Sequence, residues 1–284
     1  MKKTTLVTCA AGTVGRKVVS LLEDKKHDVR AGVHRKEHVP PIDASCAQAV
    51  RLDFLNPRSI EAAVNGVDQV CLITPHTNRQ FEWASLLIDK AKEAGVQRIV
   101  RLSGLAAAMG PDVQVGRWMK MVEHYLADSG LEWTIIRPSP FMQNFLNLYP
   151  RQGGQYWLPV GNGRICHIDV DDVAAVLAKV LTEEGHNHKT YTITGNQALS
   201  MTESTGLLAQ AGHTDAAYHP IPEKHAREIL QQAGKPEWLI DVLMQLFAAF
   251  ESGAASLAVD TVEKMLGRPP LSFERFAAGR KGCG

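Results

Sequence analysis

A small-residue turn wedged between a strand and a helix constrains this chain most. Lys3-Thr4-Thr5-Leu6-Val7 reads as a β-run, and Arg16-Lys17-Val18-Val19-Ser20-Leu21-Leu22 reads as a helix. Between them lies Thr8-Cys9-Ala10-Ala11-Gly12-Thr13-Val14-Gly15. A helix that starts directly after a tight turn presents unpaired N–H groups and the positive end of its dipole, which suits a phosphate. The spacing G-x-x-G-x-x-G would place glycine at position 9, where Cys9 stands. Gly12 lets backbone approach a diphosphate, and Gly15 lets the helix lie close to the strand. Cys9 carries a Cβ, so a left-handed φ there costs energy. Gly12, Thr13, Val14 and Gly15 are the expected phosphate-facing residues.

Strands and helices then alternate. Strands are predicted at 28–33, 47–52, 69–73, 98–102 and 132–137, and helices at 57–64, 80–94 and 117–129. Asn56 caps the first of these helices with Pro57 in its first turn, and Gly95 and Gly130 stop the other two. Six βα units in this order imply an α/β fold, a doubly wound parallel sheet of Rossmann type. Residues 153–163 form a turn-rich, aromatic-bearing insertion. A helix at 171–181, capped by Asp169 or Asp171, and a strand at 190–193 follow. The remainder reads as mostly helical, and Leu239, Val242, Leu243, Leu246, Phe247 and Phe250 share one helical face for burial against the body. The expected organisation is a nucleotide-binding core over 1–150 and a small, mostly helical substrate lobe over 151–284. That lobe is intermixed with the core rather than independent.

Composition excludes several classes. Of 284 residues, 45% are hydrophobic, enough for a large core. Thirty-one basic residues against 30 acidic ones, with no run of one sign, argue against nucleic acid as a partner. No apolar stretch reaches the length of a membrane span or a signal sequence. Cys9, Cys46, Cys71, Cys166 and Cys283 show no C-x-x-C spacing and read as free thiols in a reducing cytoplasm. His186 and His188 sit in a polar turn and read as solvated, so no metal is expected. The protein is expected to be a monomer or a homodimer.

The end of the second strand decides which dinucleotide is expected. An Asp or Glu there would take both ribose hydroxyls of NAD. The chain instead reads Val33-His34-Arg35-Lys36. Arginine offers a planar fork to a 2′-phosphate, so NADP(H) is expected, with NAD(H) second. Arg35 with Lys36 would meet that phosphate, and His34 beside them is expected to bind the cofactor. Topology adds Asp53 at the end of strand three for the adenine amino group, Thr74 and Pro75 at the end of strand four, and Ser103 at the end of strand five near the nicotinamide.

The chemistry is read by elimination. Four residues after Tyr125, Tyr149, Tyr156, Tyr191 and Tyr218 stand Ser129, Gly153, Val160, Gly195 and Pro222. The tyrosine–lysine acid–base pair is therefore absent. Hydride transfer to an electron-poor acceptor such as a quinone, an iminium ion or a cationic dye needs no such donor, because orientation supplies much of the rate. Trp118, Phe141, Met142, Phe145 and Trp157 are candidate walls for the acceptor, and Ser103 is a weak catalytic candidate as a hydrogen-bond donor.

Several segments resemble the NmrA-like branch of atypical short-chain dehydrogenases over nearly the whole length. Thr8 to Gly15 is similar to the branch's T-G-A-T-G-x-x-G, altered at Cys9 and Ala11. Val33-His34-Arg35 is similar to its V-x-R. Residues 123–139, from Glu123 through Ser129-Gly130-Leu131-Glu132-Trp133-Thr134 to Arg137-Pro138-Ser139, resemble its E-x-x-L-x-x-S-G-L-x-W-T-I-L-R-P segment. Phe141-Met142-Gln143-Asn144-Phe145 resembles F-M-x-N-F, and Ile168-Asp169-Val170-Asp171-Asp172-Val173-Ala174 resembles its I-D-x-x-D-V-A. Leu181-Thr182-Glu183-Glu184-Gly185-His186 and Lys189-Thr190-Tyr191 resemble triphenylmethane reductases. Gly267-Arg268-Pro269-Pro270-Leu271-Ser272-Phe273-Glu274 resembles a signature of festuclavine and agroclavine dehydrogenase-like members.

The resemblance implies NADPH-dependent reduction of a small-molecule acceptor without the tyrosine–lysine pair. It also implies an alternative, a nucleotide-binding redox sensor with little turnover. Many members carry histidine four residues before the helix glutamate. Met119 holds that place here, so no acid is carried over to it. The lysine that isoflavone-type reductases use earlier in the same helix corresponds to Val115.

Overall fold

The computed structural model describes residues 3–35 and 47–279. Lys36, Cys46 and Cys283 lie outside the described residues. The first half builds β1 (Thr4–Val7), α1 (Gly15–Asp24), β2 (Asp28–Val33), β3 (Ala47–Arg51), α2 (Pro57–Val64), β4 (Gln69–Leu72), α3 (Gln80–Glu93), β5 (Arg98–Leu102), α4 (Gln114–Ala127) and β6 (Glu132–Pro138). Then follow α5 (Asn144–Asn147), β7 (Arg151–Gln152), β8 (Gln155–Leu158), β9 (Arg164–Ile165), α6 (Val170–Thr182) and β10 (Lys189–Ile193). The chain closes with β11 (Leu199–Ser200), α7 (Met201–Gln210), β12 (Tyr218–Pro220), α8 (Glu223–Gln232), α9 (Glu237–Glu251), α10 (Thr261–Leu266) and α11 (Phe273–Ala278).

The large sheet has seven strands in the order β10-β6-β5-β4-β1-β2-β3. Neighbours from β3 to β6 pair in parallel. At β6 and β10, His188 N donates to Trp133 O and Ser139 N to Ile193 O, so both strands run the same way. This is the doubly wound Rossmann-type sheet that the alternation predicts. The order reverses between β1 and β4, and a ligand crevice opens outside the carboxyl ends at such a point.

Two compact units contain these elements. The first comprises residues 1–104, 118–137 and 173–191, and the second 105–117, 138–172 and 192–284. The division does not fall at residue 150. Residues 173–191 belong with the first unit because β10 extends its sheet beside β6.

The core of the first unit sets β1, β4 and β5, through Leu6, Val70, Leu72 and Ile99, against Ile60 of α2, Leu87 and Ile88 of α3, and Val122 and Leu126 of α4. All of these are 3% exposed or less, so apolar burial drives this assembly. The second unit has its own core, with Phe145, Tyr149, Tyr156, Phe247 and Phe273 at its centre. The apolar face of α9 is buried there through Leu243, Phe247 and Phe250, as its spacing predicts. No helix among the described residues is long and apolar enough to cross a membrane.

Local signals explain the element ends. Asn56 accepts from Arg58 N and Ser59 N to cap α2. Gly95 and Gly130 take φ of 78° and 83°, the left-handed turn that ends a helix. Asp169 Oδ1 accepts from Asp171 N at 2.8 Å at the start of α6. The α4 helix begins three residues before the predicted Arg117, because Gln114 N donates to Gln245 Oε1 at 2.7 Å. That cap comes from 131 residues away, and helix-start rules do not see it.

Candidate functional site

The turn after β1 does what its sequence asks. Cys9 adopts φ 50°, the left-handed conformation that glycine would take without strain. Its carbonyl accepts from Gly12 N at 2.8 Å and closes the turn. A Cβ on Gly15 would stand 2.2 Å from that carbonyl, so only glycine lets α1 approach this closely. The N-cap of α1 is Val14, which makes no side-chain capping bond. Arg16 N already donates to Gly12 O, and Lys17 N and Val18 N donate to Val14 O. The amides left for an outside acceptor are those of Thr13, Val14 and Gly15 where the turn enters the helix, the arrangement that a diphosphate fits.

Thr8 ties the reversal point together. Its Oγ1 donates to Ile73 O at 2.6 Å and accepts from Ile73 N at 2.8 Å, joining the ends of β1 and β4. Thr74 and Pro75 follow directly, both half-buried. Thr74 Oγ1 accepts from Gln80 Nε2 and from Arg101 Nη1, each at 3.2 Å.

At the other side, His34 and Arg35 are exposed at the end of β2. The fold brings His34 to Asp53 although 18 residues intervene in the sequence: Nε2 and Oδ2 lie 3.6 Å apart. Asp53 also accepts from Leu55 N at 3.0 Å and stands 3.9 Å from Arg51. Its carboxylate is partly committed to its own turn and to these two neighbours.

At the end of β5, Ser103 is 7% exposed, and its hydroxyl donates to Glu123 Oε1 at 2.6 Å. Arg137 on β6 grips the same carboxylate with two donors: Nε reaches Oε1 at 2.9 Å, and Nη2 reaches Oε2. Charge-assisted forks of this kind are among the strongest side-chain contacts. A Cβ on Gly104 would lie 3.1 Å from Met119 Sδ, so glycine leaves room for the methionine at the histidine place.

Two residues of this region carry no role in the sequence reading. One is Glu123, which the family segment contains. The other is Arg101, which is fully buried. A charged residue inside an apolar strand, Arg98-Ile99-Val100-Arg101-Leu102, was the signal that marked it.

The candidate acceptor walls fall in both units. Trp118 is half-buried on α4 in the first unit. Phe141 is half-buried and Met142 2% exposed in the second unit. Met142 and Phe145 belong to that unit's core, and Trp157 stacks on His219 with ring centroids 4.2 Å apart.

The profile of an NAD(P)H-binding family matches residues 9–184. Over 275 residues, and 96% of both chains, the protein is 36% identical to an NAD(P)H azoreductase of Xenophilus azovorans. The chain belongs to this NAD(P)H-binding, NmrA-like family. It is an NAD(P)H-dependent oxidoreductase. An NADPH-dependent quinone oxidoreductase from Escherichia coli, solved with NADPH, shares the fold with a TM-score of 0.87 at 24% identity, covering 97% of this chain and 99% of that one. A triphenylmethane reductase of Citrobacter sp., solved with NADP(H), does so with a TM-score of 0.85 at 21% identity, covering 97% and 99%.

Proposed function

We propose that the protein prefers NADPH and reduces an electron-poor organic acceptor of quinone, azo, iminium or cationic-dye type. When bound, NADPH supplies the hydride. The observation that carries the reading is at Ser103. Its proton is already directed to Glu123, so the hydroxyl at the end of β5 meets a neighbour as an acceptor. A reaction whose hydride step needs no proton from the protein fits such a place.

The chain's own groups bind and orient. The amides opening α1 would take the diphosphate, with Gly12 and Gly15 allowing the approach. Arg35, with His34, would take the 2′-phosphate, since the end of β2 offers bases and no carboxylate. Thr74, Pro75 and Ser103 would line the nicotinamide half. Trp118, Phe141 and Met142 are the residues proposed for the acceptor. The 36% identical azoreductase supports including azo compounds among the acceptors. The free thiols of Cys9, Cys71 and Cys166 fit a reducing compartment such as the cytoplasm.

The test is to mix the purified protein with NADPH and a panel of quinones, azo dyes, cationic dyes and cyclic imines, following absorbance of the reduced nicotinamide. Turnover with at least one class is expected. Tight nucleotide binding without turnover on any of them would instead favour the redox-sensing role.

A further inference from the structure

We infer that Arg101 is a buried cation held in place for the diphosphate of the bound dinucleotide, contributing affinity that the α1 amides alone do not supply. This rests on the nucleotide reading above.

The guanidinium is fully buried on β5, opposite Leu72 and two residues before Ser103. Nη1 donates to Thr74 Oγ1 at 3.2 Å and reaches Leu72 O at 3.5 Å. Nε and Nη2 are buried without a hydrogen-bond partner. Glu123 is the carboxylate that acts on it, yet both Glu123 oxygens are already engaged by Arg137, and one of them by Ser103 as well. Glu123 therefore acts on Arg101 through its charge alone, while its oxygens are bonded to Arg137 and Ser103. Burying a charge without a full set of hydrogen-bonded partners is costly, and such charges are normally paired.

The position says what completes the pair. Thr74 follows β4 and Cys9 lies in the turn after β1, the two sides of the reversal point. Burial pushes the Cys9 and Cys71 thiols up to about 12, and the Arg101 charge works against it at both. The cation thus lies within electrostatic reach of the turn that opens α1. Burial lowers Arg101 to about 10, which leaves it charged at neutral pH. In a medium of low effective dielectric, its attraction for an anion at that turn is screened far less than that of a surface lysine. The diphosphate is common to NADPH and NADH, so Arg101 serves both, whereas Arg35 distinguishes them.

Titration calorimetry of wild type, Arg101→Met and Arg101→Lys with NADPH and NADH, together with thermal unfolding of the nucleotide-free proteins, tests this. Arg101→Met is expected to weaken both nucleotides about tenfold or more while its own unfolding temperature stays level or rises, because Glu123 keeps Arg137. Arg101→Lys, which retains the charge, is expected to stay within about threefold of wild type. Wild-type affinity in Arg101→Met, or equal loss in both variants, overturns the inference. Should Arg101→Met not fold, Arg101→Gln serves as the neutral variant. Failure of both to fold makes the charge a structural requirement and also overturns it. Absence of nucleotide binding by the wild type would instead remove the reading on which the inference rests.

Discussion

The Ser103 hydroxyl donates to Glu123 Oε1 at 2.6 Å, which leaves its oxygen to act toward other groups as an acceptor. A hydroxyl serving as general acid contributes on the order of a hundredfold to ten-thousandfold. Ser103 is not expected to serve so. Ser103→Ala should lower kcat on a quinone by less than about tenfold. Steady-state kinetics decide it, and a loss of a hundredfold or more would contradict hydride transfer without a protein acid.

Arg35 stands exposed at the end of β2 beside His34, where an NAD-selecting fold would carry an acid. Arg35→Ala should weaken NADPH binding by about 1–3 kcal/mol and leave NADH nearly unchanged, because it removes one charge-assisted contact to one phosphate. Calorimetry with both nucleotides measures it. Equal losses would refute the assignment of Arg35 to the 2′-phosphate.

Much of this was legible in the sequence, for physical reasons. The glycine turn, the alternation of strands and helices and the caps at Asn56, Gly95 and Gly130 are short-range consequences of backbone freedom and apolar periodicity. Sequence reasoning also flagged Cys9, and it takes the left-handed φ that its place demands. The contacts left unread are long-range. Gln245 caps α4, Asp53 meets His34, and Ser103 and Arg137 both bind Glu123. No local pattern encodes such pairings, because they exist only once helices have docked on the sheet.

Two family segments separated by nearly a hundred residues meet in the second unit. Asp172, with no exposed side-chain surface, pairs with Arg268 Nη1 at 2.7 Å and accepts from Leu271 N at 2.6 Å. Burial pushes its carboxyl up, and these two partners hold it down. Arg268→Ala leaves that carboxylate buried without its cation. Because the arginine is partly exposed, the expected cost is about 2–3 kcal/mol rather than more. Urea unfolding measures it, and an unchanged midpoint would show the ion pair to be without consequence.

His167 gives stability a definite pH dependence. Its Nε2 lies 2.8 Å from Tyr149 Oη inside an aromatic shell, and burial lowers its pKa to about 3. The unfolded imidazole titrates near 6.5. Between those values the unfolded chain binds the extra proton, so the contribution is present above about 6.5 and is lost as pH falls toward 3. One such group costs up to about 1.4 kcal/mol per pH unit in that window. His167→Gln should flatten the fall in unfolding free energy between pH 6 and 4 by about one proton's worth. Identical slopes for the two proteins would contradict this.

A dinucleotide held by the amides that open α1 underlies every role proposed for this chain. Titration calorimetry of the wild-type protein with NADPH tests it most directly. Saturable binding of one NADPH per chain, tighter than NADH, is expected. No heat of binding with either nucleotide, from protein shown to be folded, would contradict it.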